Sequence, residues 1–299
     1  MTSPRALAAL FLLTLIWGYA WVVLKQALDY AGPFQLSALR SSAGAAALLA
    51  ALLLTGRSLR IVAVGRTAWV GLFQTGAFMA LQTWALVEGG PGRTSVLIFT
   101  MPIWTLLLGA LLLGERVRGL QWGAVVSTVV GLVLIIEPWS LGGSLISKML
   151  GLLAALAWAI GTVLVKRWRS HLAADVLALT AWQMVFGAAL QIVVAGVVPE
   201  RAVDWQPAFL FILAFMALVV TALGWFLWLY VLEHLPAWQA SLSVLGVPVV
   251  AIVSSRWVLG EQSTPIELAG MLLIGSGLGL LSFLNWRAQR RLPPPQSST

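Results

Sequence analysis

The sequence contains no cysteine and only two histidines, and just 9% of its 299 residues are charged. Without cysteine there can be no disulfide framework and no thiolate metal site, and the redox compartment leaves no trace in the chain. A water-soluble domain carries about 25% charged residues. A chain that is 60% hydrophobic with a mean hydropathy of +0.95 is instead solvated by lipid. The net charge of +8 does not indicate nucleic acid, because the basic residues stand in short clusters between long apolar runs and no polar domain carries them. A cleavable signal is not evident either: the first apolar run, Ala6 to Leu24, holds Trp17, Gly18 and Trp21 and leads to no small-residue cleavage site.

What is present is a block that occurs twice. Met101-Pro102 opens an apolar segment, Gly114-Glu115-Arg116 breaks it, and a second apolar segment follows from Leu120. Val247-Pro248, Gly260-Glu261 and the run from Ile266 to Leu284 repeat this pattern 146 residues later. Fainter pairs accompany it: Trp17 and Lys25 with Trp158 and Lys166, Leu36 and Gly44 with Leu179 and Gly187, and Glu88 with Glu233. The period is far longer than that of a solenoid, so each copy is half a protein.

Spanning a bilayer takes about 20 apolar residues as helix, since lipid offers no partner to unpaired backbone groups. Ten segments qualify: Ala6 to Leu24, Phe34 to Leu54, Ala68 to Val87, Thr94 to Leu113, Leu120 to Ile136, Leu150 to Val165, Val176 to Val197, Ala208 to Leu232, Trp238 to Val258 and Ile266 to Leu284. The expected fold is therefore an all-α integral membrane protein of ten transmembrane helices, with halves at 1–140 and 147–286 and a disordered tail at 287–299. Alternate segment ends carry Arg5; Arg57, Arg60 and Arg66; Arg116 and Arg118; Lys166, Arg167 and Arg169; and Arg287, Arg290 and Arg291. The opposite ends hold only Lys25, Arg93, Lys148, Arg201 and Arg256, which predicts both termini in the cytoplasm. Five is odd, so the second half enters the membrane reversed. Inverted repeats place a site between the halves near the midplane, and rocking of one half against the other gives alternating access.

Two five-helix halves of this kind resemble the drug/metabolite transporter superfamily, and within it the ten-helix EamA-type exporters. The residues that carry the resemblance are Trp17-Gly18, Pro102 with Gly114-Glu115, and Pro248 with Gly260-Glu261. The resemblance covers nearly the whole chain and extends to bacterial inner-membrane exporters of amino acids, aromatic ones included. It implies a central cavity walled by the first, third, fourth, sixth, eighth and ninth helices, with the fifth and tenth at the periphery.

Candidate cavity residues are polar or aromatic side chains spaced three or four apart within apolar helices. Gln74, Phe78 and Gln82 form such a stripe in the third helix, and Thr221, Trp225 and Trp228 in the eighth, with Tyr230 nearby on another face. Trp17 and Trp158 are paired by the repeat, and Ser95, Thr162 and Ser243 offer hydroxyls beside the cavity helices. The glutamines could equally glue helices together, Gly18 and Gly161 read better as packing contacts, and Trp139, Trp168, Trp205, Trp238 and Trp286, near segment ends, suit the membrane interfaces. Pro102 and Pro248 read as hinges that kink their helices. Arg40, about two turns into its segment, reads as a structural residue snorkelling to the interface, with substrate binding as the alternative role.

Every acidic residue falls at a segment end or in a connection, so no carboxylate stands ready to carry a proton through the membrane. Small multidrug-resistance relatives keep a glutamate in the first helix, which this chain lacks. The expected activity is alternating-access export of neutral, often aromatic, amino acids and similar metabolites from the inner membrane, by facilitated diffusion. Cationic drugs, nucleosides or sugars, with or without proton coupling, are the competing cargo. An intramembrane enzyme would need a cluster of catalytic groups that the sequence does not offer, and a scaffold has no need of inverted halves. No metal or cofactor is expected. The expected partners are the bilayer, the small-molecule substrate and at most a second copy of the chain, as a monomer or homodimer.

Overall fold

A computed structural model describes residues 4–117, 119–136, 144–168, 170–172, 175–234 and 245–290. Among them are ten helices: α1 Pro4–Ala27, α2 Pro33–Leu54, α3 Val64–Glu88, α4 Pro91–Leu113, α5 Leu120–Ile136, α6 Leu145–Arg167, α7 Val176–Val197, α8 Pro207–His234, α9 Gly246–Leu259 and α10 Pro265–Arg290. Eight of them are long and apolar enough to cross a membrane, and α5 and α9 are shorter apolar helices. Side chains such as Phe11, Leu111, Val126, Phe211, Trp257 and Leu272 are exposed on their outer faces. In water these would form an adhesive apolar surface; in a bilayer they face acyl chains.

Several helix ends are written in the sequence. Proline stands at the start of α1, α2, α4, α8 and α10, where the missing N–H removes no intrahelical bond. Glycines at positive φ close α4 (Gly114, φ 70°) and α9 (Gly260, φ 67°), so the two Gly-Glu breaks are left-handed helix ends. Thr264 and Glu267 form a reciprocal capping box at the start of α10: each backbone N–H donates to the other's side chain, at 2.9 and 3.1 Å.

Other boundaries differ from the sequence reading. The fourth helix breaks at Phe99 and Thr100 and resumes at Met101-Pro102, where the missing proline N–H cannot bridge the step. Pro248, by contrast, lies in the first turn of α9, where its ring disrupts no bond of the described helix. The stretch Trp238 to Ser243, assigned to the ninth segment, lies outside the described residues. Helix α10 runs past Arg287, the expected start of the tail, to Arg290, and Arg287 lies over the Phe283 ring at 5.4 Å; residues 291–299 lie outside the described residues.

The third and eighth helices each contain a wider, π-helical stretch, Leu72–Ala77 and Phe215–Leu223. Such turns leave carbonyls unsatisfied by the ordinary helical ladder, and neighbouring side chains meet them here. Gln191 of α7 donates to Thr75 O and Gly76 O at 3.1 and 3.0 Å, and the Trp17 indole of α1 donates to Val220 O at 3.1 Å.

Helices α5 and α10 pack against each other through glycine. A Cβ on Gly131 would lie 2.6 Å from Gly270 O, and Ser127 Oγ donates to Leu273 O at 2.8 Å. Gly131→Val should therefore cost about 1–3 kcal/mol by overpacking. Thermal unfolding in detergent measures it, with Gly275→Val as control, because nothing lies within 4 Å of that position. Equal effects at the two positions would show that the glycine contact is not what joins these helices.

Candidate functional site

A cavity of about 260 Å³ lies among α1, α2, α3, α4, α6, α7, α8 and α9. Trp17, Gln74, Phe78, Gln82, Trp158, Thr221, Trp225 and Trp228 all line it, so eight of the sequence candidates meet in one space. Trp17 forms the corner. Its indole is held by Val220 O and packs on Trp225 (centroids 6.5 Å apart, edge-on) and Trp228 (6.0 Å). Gly224 makes room for it, since a Cβ there would lie 2.6 Å from Trp17 Nε1. On the facing wall Phe78 meets Trp158 edge-on at 4.8 Å.

The remaining candidates lie elsewhere. Thr162 stands behind the wall, donating to Trp158 O at 3.0 Å and accepting from Gln74 Nε2 at 3.2 Å. That contact holds Gln74 in place, and Gly161 allows it: a Cβ there would lie 2.7 Å from Gln74 Cβ. Ser95 is fully buried in the first turns of α4 and donates its hydroxyl to Gly92 O, away from the cavity. Tyr230 points off to His234, with ring centroids 4.1 Å apart, because its position on α8 is on another face from Trp225. Ser243 lies outside the described residues. Gly18 is a packing contact in which an added Cβ would meet Val250 and the Val247 carbonyl of α9.

The second and seventh helices, absent from the expected wall, also contribute. Arg40 and Met184 with Gln183 line the cavity from α2 and α7. Arg40 and Gln183 stand at the repeat offset of 143 residues already marked by Leu36 with Leu179 and Gly44 with Gly187. Each precedes a glycine by one helical turn. A Cβ on Gly44 would lie 2.9 Å from Met184 Sδ, and one on Gly187 2.5 Å from Thr75 Cβ, so both helices are drawn inward at that level. The Arg-x-x-x-Gly and Gln-x-x-x-Gly spacing carried this signal in the sequence. Arg40 does not snorkel: it is 9% exposed, and its Nε and Nη1 atoms are buried without a hydrogen-bond partner.

Among the described lining residues there is no carboxylate and no histidine, and among the described residues no group of His, Asp and Glu could hold a metal ion. The walls offer aromatic faces, methionines (Met79, Met101, Met184, Met216), three amides and one guanidinium. Gln82 Oε1 is buried with no donor of its own. This is an apolar binding chamber with a few polar anchors.

Ionic ties lie at the two ends of the bundle. At one end Glu261, its side chain 9% exposed, accepts from Gly92 N (2.8 Å), Arg93 N (3.2 Å) and Ser255 Oγ, and lies 3.5 Å from the Arg93 guanidinium, which also reaches Glu267 at 2.7 Å. Glu200 caps α2 in the same way through Phe34 N and Gln35 N at 2.9 and 2.8 Å. Lys25 Nζ there donates to Leu86 O and Val87 O at 2.5 and 2.9 Å. The other end holds the more exposed pairs Arg57–Asp175 (2.8 Å) and Lys166–Glu115 (2.5 Å).

A sequence profile of the EamA-like transporter family matches residues 4–137 and again 145–283. The uncharacterized transporter YoaV of Bacillus subtilis is 28% identical over 93% of this chain and 97% of its own. A protein of Escherichia coli named as a probable amino-acid metabolite efflux pump is 29% identical over 92% of this chain and 94% of its own. The uncharacterized inner membrane transporter YedA of the same bacterium is 25% identical over 87% and 84%. A crystal structure described only as that of a protein superposes with a TM-score of 0.66 over 96% of this chain and 100% of that one, at 18% identity, a likeness of fold.

Proposed function

The chain belongs to the EamA-like transporter family, and from that premise we propose that it exports neutral, often aromatic, amino acids and related small metabolites across the inner membrane by alternating access. The observation that carries this reading is the chamber itself. Its described walls are aromatic and thioether surface with three glutamines and one guanidinium, and they include no acid to attract a cation. Trp17, Phe78, Trp158 and Trp225 supply stacking surface, and Gln74 and Gln82 fix polar groups of the cargo. The name of the Escherichia coli relative supports amino-acid metabolites as the class.

The two stretches matched by the family profile hold five helices each, which suits a pair of halves of opposite orientation with both termini in the cytoplasm. Movement of one half against the other would expose the chamber to each side in turn. A chamber whose described lining has no carboxylate suits facilitated diffusion better than proton exchange.

The test is uptake of labelled phenylalanine, threonine and tetraphenylphosphonium into liposomes holding the purified protein, with and without an imposed pH difference. Amino-acid flux that equilibrates and ignores the pH difference is the expected result. Flux of the organic cation alone, or accumulation driven by pH, would overturn the reading.

A further inference from the structure

The guanidinium of Arg40 is the one formal charge among the described residues that line the chamber. It enters no ion pair among the described residues, and two of its three nitrogens are buried without a partner. A buried cation is costly unless something answers it, and the fold spends helix-packing glycine at Gly44 to bring α2 close enough to place it there. Its repeat counterpart on the lining, Gln183, is neutral. A charge held in a cavity and left unanswered by the protein is a site for an opposite charge from outside.

We propose that Arg40 binds the carboxylate of the transported molecule, and that the chamber therefore selects aryl and alkyl carboxylates. This rests on the reading of the chamber as the transport site. The guanidinium fork matches a carboxylate in two parallel hydrogen bonds, while the aromatic pairs Trp17 with Trp225 and Phe78 with Trp158 take the apolar body. No carboxylate among the described lining residues answers an ammonium group; the buried Gln82 Oε1 is an acceptor free to take an N–H. The carboxylate is thus the required element of the cargo and the amine a tolerated one.

Binding of three probes to the purified protein in nanodiscs tests this: 3-phenylpropionate, which has the carboxylate alone; phenylalanine, which has both groups; and phenylalaninamide, which has the amine alone. The first two should bind and the amide should not. Arg40→Gln should weaken 3-phenylpropionate and phenylalanine about tenfold to a hundredfold, the worth of a charge-assisted hydrogen-bond pair, and Arg40→Lys should retain part of the affinity. A second readout separates binding from structure. If Arg40 is held for the ligand, removing its charge leaves the unliganded protein as stable as before or more so, so the unfolding temperature of Arg40→Gln should hold or rise. Equal binding of the amide and the acids, or an Arg40→Gln protein that unfolds earlier yet ranks the three probes as before, overturns the assignment of Arg40 and leaves the transport reading intact. Failure of all three probes to bind the unaltered protein, together with no amino-acid flux in liposomes, overturns both.

Discussion

Replacing Glu261 with alanine is expected to lower folding stability by about 3–5 kcal/mol, the cost of stripping one partner from a buried charge network. The same change at its repeat partner, Glu115, is expected to cost about 1 kcal/mol or less. The two glutamates occupy the same place in the repeated motif, so local sequence predicts the same effect for both. Their surroundings differ. Glu261 is 9% exposed and receives two backbone N–H groups at the start of α4, the Ser255 hydroxyl and the Arg93 guanidinium. Its removal leaves Arg93 to Glu267 alone and bares the positive end of α4. Glu115 is 39% exposed and is held in an ion pair by Lys166, itself 53% exposed. Solvent already screens that pair. Thermal unfolding of both variants in the same detergent makes the comparison, and a Glu115→Ala loss equal to that of Glu261→Ala would show that exposure does not separate the two.

Trp17→Ala is the second large effect expected, about 3–5 kcal/mol for truncating a large aromatic side chain, accompanied by loss of phenylalanine flux. Three separate contacts end at this ring: the hydrogen bond to Val220 O and the packing on Trp225 and Trp228. Trp17→Phe keeps an aromatic ring and gives up the hydrogen bond, which is worth about 0.5–1.5 kcal/mol. It leaves a carbonyl of the wide turn in α8 without its donor. Gly224→Val presses on the same indole at the nitrogen that bonds Val220 O, and should reduce flux with the ring still present. Native flux and native unfolding temperature in Trp17→Ala would remove this residue from the chamber's working parts.

The arrangement of helices was legible because its signals are long and redundant. Ten apolar runs, prolines at helix starts and two Gly-Glu breaks repeat along the chain, and an error at one end does not propagate. The aromatic walls were legible for a related reason: Phe78 and Gln82, or Trp225 and Trp228, share a helix face by simple spacing. What spacing does not show is a change of helical pitch. The π-helical stretches Leu72–Ala77 and Phe215–Leu223 add residues to a turn and re-aim the side chains beyond it, and their carbonyls draw on partners as distant in sequence as Trp17 and Gln191. Tyr230 was counted with the site for its closeness in sequence although it sits on another helix face, and that face turns it to His234. Arg40 was misplaced because a single charge near a helix end ordinarily reaches for the interface. The glycine one turn later, by letting α2 approach α7 and α8, decides the matter, and that is a statement about packing between helices.

The carboxylates that cap α2 and α4 have a consequence for how the protein is made. Glu200 and Glu261 stand 166 and 169 residues downstream of Phe34 and Gly92, the backbone groups they receive. At about 5–20 residues per second of synthesis, each of these helices emerges and enters the bilayer roughly ten to thirty seconds before its cap exists. Over that interval the N–H groups at its start have only water or lipid headgroups to bond. The early half is therefore born with two unfinished helix ends, and the late half completes them. Assembly is ordered in time by the position of two glutamates, and a ribosome stalled between residues 145 and 199 leaves behind a membrane-inserted protein with both ends still open.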